Sequence, residues 1–591
     1  MTVILVWVRR LSIVDLSGGH QPITSPDGRY TITFNGEIYN HQALRPRLEA
    51  DGWVFSTNSD SETLLAAFIC LGEKAWLQLE GMYAVAIWDR RDRSLTLARD
   101  PLGIKPLYIS EQNGGLAFAS ELKSLTCMPA LDFNINDRAV HDFFRFGHIQ
   151  RPRTIYREVR QLEPGHWLRI SSKGDVREQK FWTPQLNSRS GLSEAEWIRE
   201  MRDRLIKTVK SHMMSDVPIG VFLSGGVDSA AVAAAMMKQT DAPVTAITIG
   251  FPGNTIDESN TARDIARHLG CDHVILPVEL GEARDVMPDI ISSLDEPLSA
   301  SAVIPCWYAS RLASEHVKVV LCGEGGDELF AGYKRQHNAL KMAHWRNLIR
   351  ATGPIASALA KLPVGSSQRL NLVRQQIDRV RDSASLSSGF ERCIAGTEIT
   401  PPRLRARLFD PEFLRRNENS VSTLAAEYFG DQDLPDADMI EQFMIGDLSL
   451  HMPSALLPRL DRTSMMHSLE ARVPFLTHQF VDWALTIPTE QKTKARGKHI
   501  LREAIRPWLP EGILDRKKQG FQIPLADWFR DDFADFAKQV YNQSGLAKAG
   551  YLNDDEVIRL FDDHRIGRAN YAKTLYAITV FSCWMLAQRS R

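Results

Sequence analysis

The sequence lacks both an excess of charge of one sign and any long apolar run. Lysine and arginine together number 71, against 72 aspartates and glutamates, in 591 residues. This balance produces no field that would attract nucleic acid or an anionic membrane, so neither partner is expected. No segment approaches the roughly 20 apolar residues that span a bilayer, and the short run 3–8 suits a β-strand better.

Cysteine is also scarce and scattered. The seven cysteines are Cys70, Cys127, Cys271, Cys306, Cys322, Cys393 and Cys583. Their number is odd and they form no C-x-x-C pair, which argues against a disulfide framework and against a zinc ribbon. We therefore expect most of them to be buried free thiols in a reducing cytoplasm.

The length predicts two to four domains, and the residue pattern changes along the chain. Residues 1–182 contain short alternating segments typical of strands, including predicted hairpins over 82–98 and 107–119. A helix is expected over 61–71, with Ser59 or Asp60 as its N-cap. The polar stretch 183–195, rich in Pro, Ser, Gly and Asn, predicts a linker.

The remainder, residues 196–591, shows a different pattern. From about residue 217, apolar strands alternate with segments that favour helix. This alternation predicts a parallel sheet covered by helices on both faces. The regions 340–450 and after 480 are expected to be largely helical.

A glycine-rich loop, Ser224–Ser229 (SGGVDS), stands between a predicted strand and an alanine-rich helix. Glycine N–H groups, serine hydroxyls and the helix N-terminus together form a cradle for an anion. Asp228 can hold Mg²⁺ through oxygen. A Gly-Gly pair alone suits a simple turn equally well, but the strand-loop-helix context favours phosphate binding. The loop has no G-K-[ST] and is not a Walker A motif.

A second loop, Cys322–Glu328 (CGEGGDE), follows a later predicted strand. Parallel sheets bind ligands at the carboxyl ends of their strands, so the two loops are expected to meet at one site. The alternative is an acidic, solvated turn.

Further motifs accompany the two loops. They are Arg10–Asp15 (RLSIVD), Asn35–Asn40 (NGEIYN), Arg99–Tyr108 (RDPLGIKPLY), Arg459–Met465 (RLDRTSM) and Ser468–Leu476 (SLEARVPFL). Together they resemble the glutamine-dependent asparagine synthetases over residues 9–590. The resemblance implies an α+β N-terminal two-sheet sandwich of the N-terminal-nucleophile hydrolase type, here incomplete. It implies that an α/β parallel-sheet ATP-pyrophosphatase domain with helical additions follows.

The resemblance also implies roles for individual residues. Catalytic roles fall to Glu324, Lys498, Asn35 and Gly36, the last two as donors to an oxyanion. Contacts with ATP and pyrophosphate fall to Leu223, Ser224, Gly225, Gly226, Asp228, Ser229, Ile249, Cys322 and Gly323. Glutamine contacts fall to Arg10, Asn35, Glu37 and Asp60, and Mg²⁺ contacts to Asp228 and Asp327. Leu223 and Ile249 are expected to flank the adenine.

The chain departs from the family pattern at the nucleophile. Family members begin with a catalytic cysteine, whereas Met1 opens this sequence and its first cysteine is Cys70. Loss of a covalent nucleophile can cost on the order of a million-fold in rate, so we expect no useful glutaminase activity. A truncated or mis-started chain is a better interpretation than an evolved ammonia-dependent enzyme. Smaller departures are Cys322 in place of Ser and Thr477 in place of Asp.

These features predict a cytoplasmic asparagine synthetase that uses ATP and Mg²⁺. Its expected substrates are aspartate and either ammonia or glutamine, and a homodimer is compatible with the family. Two alternatives remain open. The chain could be a related amide-forming ligase, either β-lactam-forming or a pathway-specific amidotransferase, or a non-catalytic protein that binds glutamine or nucleotide.

Overall fold

The computed structural model describes residues 11–186, 191–253, 257–278, 281, 285–338, 386, 388–430, 437–494, 497–516 and 523–589. The first half holds strands β1 to β9, which are Ile23–Thr24, Tyr30–Ile38, Gly81–Asp89, Ser94–Arg99, Tyr108–Gln112, Gly115–Ala119, Val159–Gln161, His166–Ile170 and Val176–Lys180. Its helices are His41–Ala50, Asp60–Leu71, Leu122–Thr126 and Asp137–Phe146.

These strands form two antiparallel sheets. The larger sheet has the order β1-β2-β3-β4-β8-β9 and the smaller has the order β6-β5-β7. The predicted hairpins are both confirmed, since Trp88 pairs with Leu95 across β3 and β4, and Ser110 pairs with Ala117 across β5 and β6. Between the sheets lies a small apolar layer that includes Ala86.

Helix Asp60–Leu71 covers the other face of the larger sheet. Leu64 and Leu65 of this helix are fully buried and pack with Ile32 and Val85 of the sheet. The helix begins as predicted, because the Ser59 hydroxyl accepts the N–H of Ser61. Apolar burial on both faces explains why β3 is buried along nearly its whole length.

The second half holds a five-stranded sheet. Its strands β10 to β14 are Ile219–Phe222, Thr245–Gly250, Asp272–Pro277, Val319–Leu321 and Glu470–Arg472. They are all parallel and have the order β12-β11-β10-β13-β14. The parallel sheet confirms the expectation drawn from alternating strands and helices. Strand β14 was not predicted, because three residues are too short to show a period.

Helices surround this sheet and make up most of the chain that follows it. Those before residue 330 are Glu194–His212, Val227–Met237, Ser259–Leu269, Met287–Ser293, Val303–Ser314 and Gly326–Leu329. Those between 389 and 465 are Gly389–Thr397, Pro402–Leu408, Pro411–Asn417, Val421–Phe429, Met439–Gly446 and Leu457–Met465, with a π-helix at Asp447–Leu456. The last group is His478–Leu485, Thr489–Thr493, His499–Ile505, Leu525–Trp528, Phe533–Ser544, Asp554–Arg565 and Ala572–Arg589.

The helical prediction for 340–450 is confirmed only where the structure describes that range. Helix Glu194–His212 begins within the predicted linker 183–195. Among the described residues, no helix is both long and apolar enough to cross a membrane. Four cysteines are buried, in agreement with the expectation for most of the thiols.

The two halves share one apolar core and are joined by buried ion pairs. Lys105 of the first half lies 2.9 Å from Asp461 of the second, and both side chains are almost fully buried. Arg472 of the second half lies 3.2 Å from Glu37 of the first, and these two side chains are also buried. Since an unpaired buried charge is costly, these pairs fix how the halves meet.

Candidate active site

The glycine-rich loop joins β10 to helix Val227–Met237 as the sequence predicts. The hydroxyls of Ser224 and Ser229 lie 2.9 Å apart, and the N–H groups of Ser224 and Gly226 each donate to one of these hydroxyls at 3.1 Å. The serines therefore hold the loop closed over the start of the helix. The N–H groups at the start of this helix, together with the positive end of the helix dipole, are suited to binding an anion.

The loop after β13 packs directly against this cradle. A Cβ atom added to Gly323 would lie 2.7 Å from the backbone nitrogen of Ser229, so only glycine permits the close approach. Cys322 precedes this contact, and its N–H donates to the carbonyl of Arg472 at 2.8 Å. Its thiol is buried, and burial raises the thiol pKa well above the ordinary value. The two predicted loops thus meet, as expected.

Lys498 reaches the same place from the distant helix His499–Ile505. Its Nζ lies 2.5 Å from Oδ2 of Asp228 and 2.6 Å from Oδ1 of Asp327. The backbone adopts a left-handed conformation with φ of 56°, and its N–H donates to the carbonyl of Phe330 at 2.8 Å. Only 3% of the residue is exposed. The arrangement holds a cation between two carboxylates beside the phosphate cradle.

Glu324 pairs with an arginine. Nη2 of Arg459 donates to Oε1 of Glu324 at 2.9 Å, and Arg459 lies on helix Leu457–Met465. Arg459 lies in a motif that resembles the family, but the resemblance gave this arginine no role. The motif is visible in the sequence, but only the fold shows that Arg459 contacts Glu324.

Leu223 and Ile249 lie at the carboxyl ends of β10 and β11. Both are buried, and the N–H of Leu223 donates to the carbonyl of Ile247 at 2.9 Å. They therefore line the same edge of the sheet as the two loops. Gly225 lies in contact with the side chain of Thr261, which leaves little room for a side chain at that position.

The donor set suits Mg²⁺. Oδ1 of Asp228 is buried and has no hydrogen-bond partner among the described residues. Asp327 supplies a second carboxylate on the other side of Lys498. Proteins commonly bind Mg²⁺ through one or two carboxylates together with substrate phosphates, and this pair beside an anion cradle fits that pattern.

The predicted glutamine residues lie in the first half of the chain. Asn35, Gly36 and Glu37 are on β2, and Asp60 begins the helix beside it, where its Oδ2 accepts the N–H of Ile38 at 3.0 Å. Gly36 has φ of 142°, and a Cβ atom there would clash with the carbonyl oxygen of Met82. Arg10 lies outside the described residues.

Glu37 also takes part in a contact that the sequence did not predict. Its Oε2 lies 3.2 Å from Nη2 of Arg472, which belongs to β14 in the second half. Burial first, and then the neighbouring Asp60, raise the pKa of the Glu37 carboxyl well above its ordinary value. The predicted pocket therefore adjoins the boundary between the halves.

Thr477 replaces the usual aspartate without losing the local structure. Its hydroxyl accepts the N–H of Phe480 at the start of helix His478–Leu485. Threonine and aspartate are both good N-caps, which explains why the substitution is tolerated.

The two halves of the chain each match a known family model. The family model for asparagine synthase matches residues 200–586, and that for a glutamine amidotransferase domain matches residues 3–182. Asparagine synthetase [glutamine-hydrolyzing] 1 of Bacillus subtilis is 32% identical, with 98% of this chain and 88% of the relative covered. Asparagine synthetase B [glutamine-hydrolyzing] of Escherichia coli is 26% identical, with 92% and 78% covered. The chain therefore belongs to the asparagine synthase family.

Proposed function

We propose that the chain makes asparagine by adenylating aspartate with ATP and transferring nitrogen to the activated carboxyl group. The observation that carries this proposal is the convergence of the two strand-end loops on Lys498, which places an anion cradle, a cation and two carboxylates together. Full-length similarity to asparagine synthetases supports the choice of acid. The chain thus acts as a ligase that forms a carbon–nitrogen bond.

In the first step the β-carboxylate of aspartate attacks the α-phosphorus of ATP. A bond forms between a carboxylate oxygen and the α-phosphorus. The bond between the α-phosphorus and the oxygen that bridges to the β-phosphate breaks, and pyrophosphate leaves. The Ser224–Ser229 loop binds the departing phosphates through its serine O–H groups and the N–H groups at the start of helix Val227–Met237. Lys498, a compact cation, stabilises the negative charge that develops on these phosphates.

In the second step ammonia attacks the acyl-adenylate. A carbon–nitrogen bond forms, the bond between the carbonyl carbon and the phosphate oxygen breaks, and AMP leaves. Glu324 accepts the proton that the attacking nitrogen releases, and Arg459 orients that carboxylate. Leu223 and Ile249 flank the adenine from the strand ends.

Mg²⁺ belongs to the proposal as the partner of the phosphates. Asp228 and Asp327 would hold the ion, with Asp228 contributing the oxygen that lacks a protein hydrogen bond. When bound, the ion neutralises phosphate charge. Lys498 keeps the two carboxylates near each other by binding one oxygen of each.

The first half is proposed to bind glutamine in an N-terminal-nucleophile hydrolase fold. Glu37 and Asp60 would receive the α-ammonium group, Arg10 the carboxylate, and Asn35 with Gly36 the amide oxygen. We propose ammonia or the amide of glutamine as the nitrogen source. The cytoplasm is the proposed location, and a homodimer the proposed assembly.

Pyrophosphate release measured across a panel of carboxylic acids tests the function. Aspartate with ATP, Mg²⁺ and ammonia is expected to give pyrophosphate and asparagine in equal amounts. Pyrophosphate with another acid but none with aspartate would contradict the proposed substrate and favour a related ligase. Glutamine in place of ammonia, with glutamate measured beside asparagine, shows which of the two nitrogen donors the chain uses.

A further inference from the structure

Arg472 links the two halves of the molecule through its side chain. Nη2 lies 3.2 Å from Oε2 of Glu37, and Nε donates to Oε1 of Glu470 at 2.8 Å. Nη1 donates to the carbonyls of His212 and Met214 at 2.7 and 2.6 Å. The guanidinium is fully buried, so every bond it makes is shielded from water.

The backbone of the same residue holds the loop Cys322–Gly325, which we call the adenylation loop. The carbonyl of Arg472 accepts the N–H of Cys322, and β14 pairs with β13 so that Arg472 lies opposite Leu321. Leu476, four residues further on, packs so tightly on the loop that a Cβ atom at Gly325 would lie 2.6 Å from its Cδ2. The loop that carries Glu324 is therefore supported on the strand of Arg472.

The other end of the link is a carboxylate that is only partly hydrogen-bonded. Oε1 of Glu37 is buried and has no hydrogen-bond partner in the described part of the chain, although Oε2 is bound to Arg472. Asp60 lies close enough to raise the pKa of the Glu37 carboxyl, so two neighbouring carboxylates would attract an ammonium group. An occupant with a primary ammonium would supply the missing hydrogen bond and keep Glu37 ionised.

We propose that Arg472 is a positioning residue that couples an amino acid bound at Glu37 to ATP bound at the Cys322–Gly325 loop. The proposal rests on the functions proposed above for these two sites. An ammonium at Glu37 secures the carboxylate, which strengthens the ion pair with Arg472 and fixes β14. The fixed strand then holds the N–H of Cys322 and the loop in the conformation that binds nucleotide.

Coupling of this kind is reciprocal, which provides an internal check. If glutamine tightens ATP binding by a given factor, ATP must tighten glutamine binding by the same factor. Calorimetry on the full chain measures both factors with glutamine, ATP and Mg²⁺. We expect a factor of about ten, within the usual range for coupled sites.

Two variants test whether Arg472 carries the coupling. Arg472→Lys keeps the charge but loses the fork that reaches Glu37 and Glu470 together, so the coupling factor is expected to fall below about two. Glu470→Gln keeps the shape of the side chain but removes the negative charge that holds the Arg472 guanidinium. It is expected to lower the coupling factor at least about threefold. Arg405→Lys is the matched control, because Arg405 is also buried and paired, but with Glu398 and Glu418.

The possible outcomes separate cleanly. Equal ATP affinity with and without glutamine in the parent, or no glutamine binding, would overturn the proposal. Full coupling in both Arg472→Lys and Glu470→Gln would also overturn it. If Arg472→Lys does not fold, the Glu470→Gln result decides. Pyrophosphate release from aspartate is measured separately, so a failure of the proposed chemistry is recognised independently of the binding factors.

Discussion

The Nζ atom of Lys498 lies 2.5 Å from Oδ2 of Asp228, although 270 positions separate the two residues in the chain. The lysine is buried, and it reaches the half-buried aspartate from a left-handed backbone conformation that few residues other than glycine adopt. A positive φ at a lysine is uncommon and is found where the surrounding structure requires it. Here the N–H of Lys498, bound to Phe330, fixes the direction of the side chain.

Replacement of this lysine should therefore abolish adenylation. In Lys498→Met the phosphates lose their cation, and Asp228 faces Asp327 with no charge between them. We expect pyrophosphate release to fall by a factor of about 10² to 10³, as for other lost electrostatic contacts. Lys494→Met is the control, since Lys494 is exposed and pairs with Glu194. A variant as active as the parent would show that Lys498 has no part in the chemistry.

Arg459 is expected to affect the second step more than the first. Arg459→Lys keeps the charge but loses the planar fork that holds Oε1 of Glu324. Asparagine formation should fall about tenfold or more, while exchange of pyrophosphate into ATP stays within about threefold. The exchange reaction is thus an internal control. An equal loss in both reactions would mean that Arg459 acts on ATP and not on Glu324.

The sequence predicted local features of the site well and missed those that depend on tertiary contacts. The loop Ser224–Ser229 could be predicted because glycine, serine and the following helix give a local pattern. The Glu324–Arg459 pair could not, since 135 positions separate the residues and no local period records their contact. Strand β14 escaped for a related reason, because three residues are too few for a strand pattern.

The same distinction explains the first half of the chain. Its hairpins follow from alternation and turn residues, which are local. By contrast, the resemblance assigned Glu37 to a glutamine pocket and gave no indication that Arg472 would reach it across the boundary. A buried arginine with four oxygen partners can be recognised only when those partners have been placed.

Cys322 should resist alkylation in the native protein. Its thiol is 1% exposed and burial raises its pKa, so little reactive thiolate is present. Cys127 is exposed and serves as the positive control in the same chain. Iodoacetamide followed by peptide mass spectrometry should label Cys127 first and Cys322 only after denaturation. Rapid native labelling of Cys322 would show that the adenylation loop opens readily.

Glu296 is expected to make stability depend on pH in the alkaline direction. It lies between the halves, where Oε1 accepts the N–H of Ile155 at 2.6 Å and the cavity beside it measures about 40 Å³. Burial raises its carboxyl pKa from 4.5 to about 8, and the nearby Asp295 adds to the effect. The folded state therefore holds a proton that the unfolded state releases.

The difference in the Glu296 pKa between the folded and unfolded states sets how stability changes with pH. Below pH 4.5 the raised carboxyl pKa does not change the free energy of unfolding. As the pH rises from 4.5 towards about 8, the free energy of unfolding falls because the unfolded state releases the proton first. Glu296→Gln keeps an acceptor for Ile155 but removes the ionisable group. Its Tm relative to the parent should therefore be higher at about pH 9 than at about pH 5. Glu412→Gln, at an exposed helix position, controls for a general loss of negative charge. An equal Tm difference at both pH values would show that Glu296 ionises normally in the folded protein.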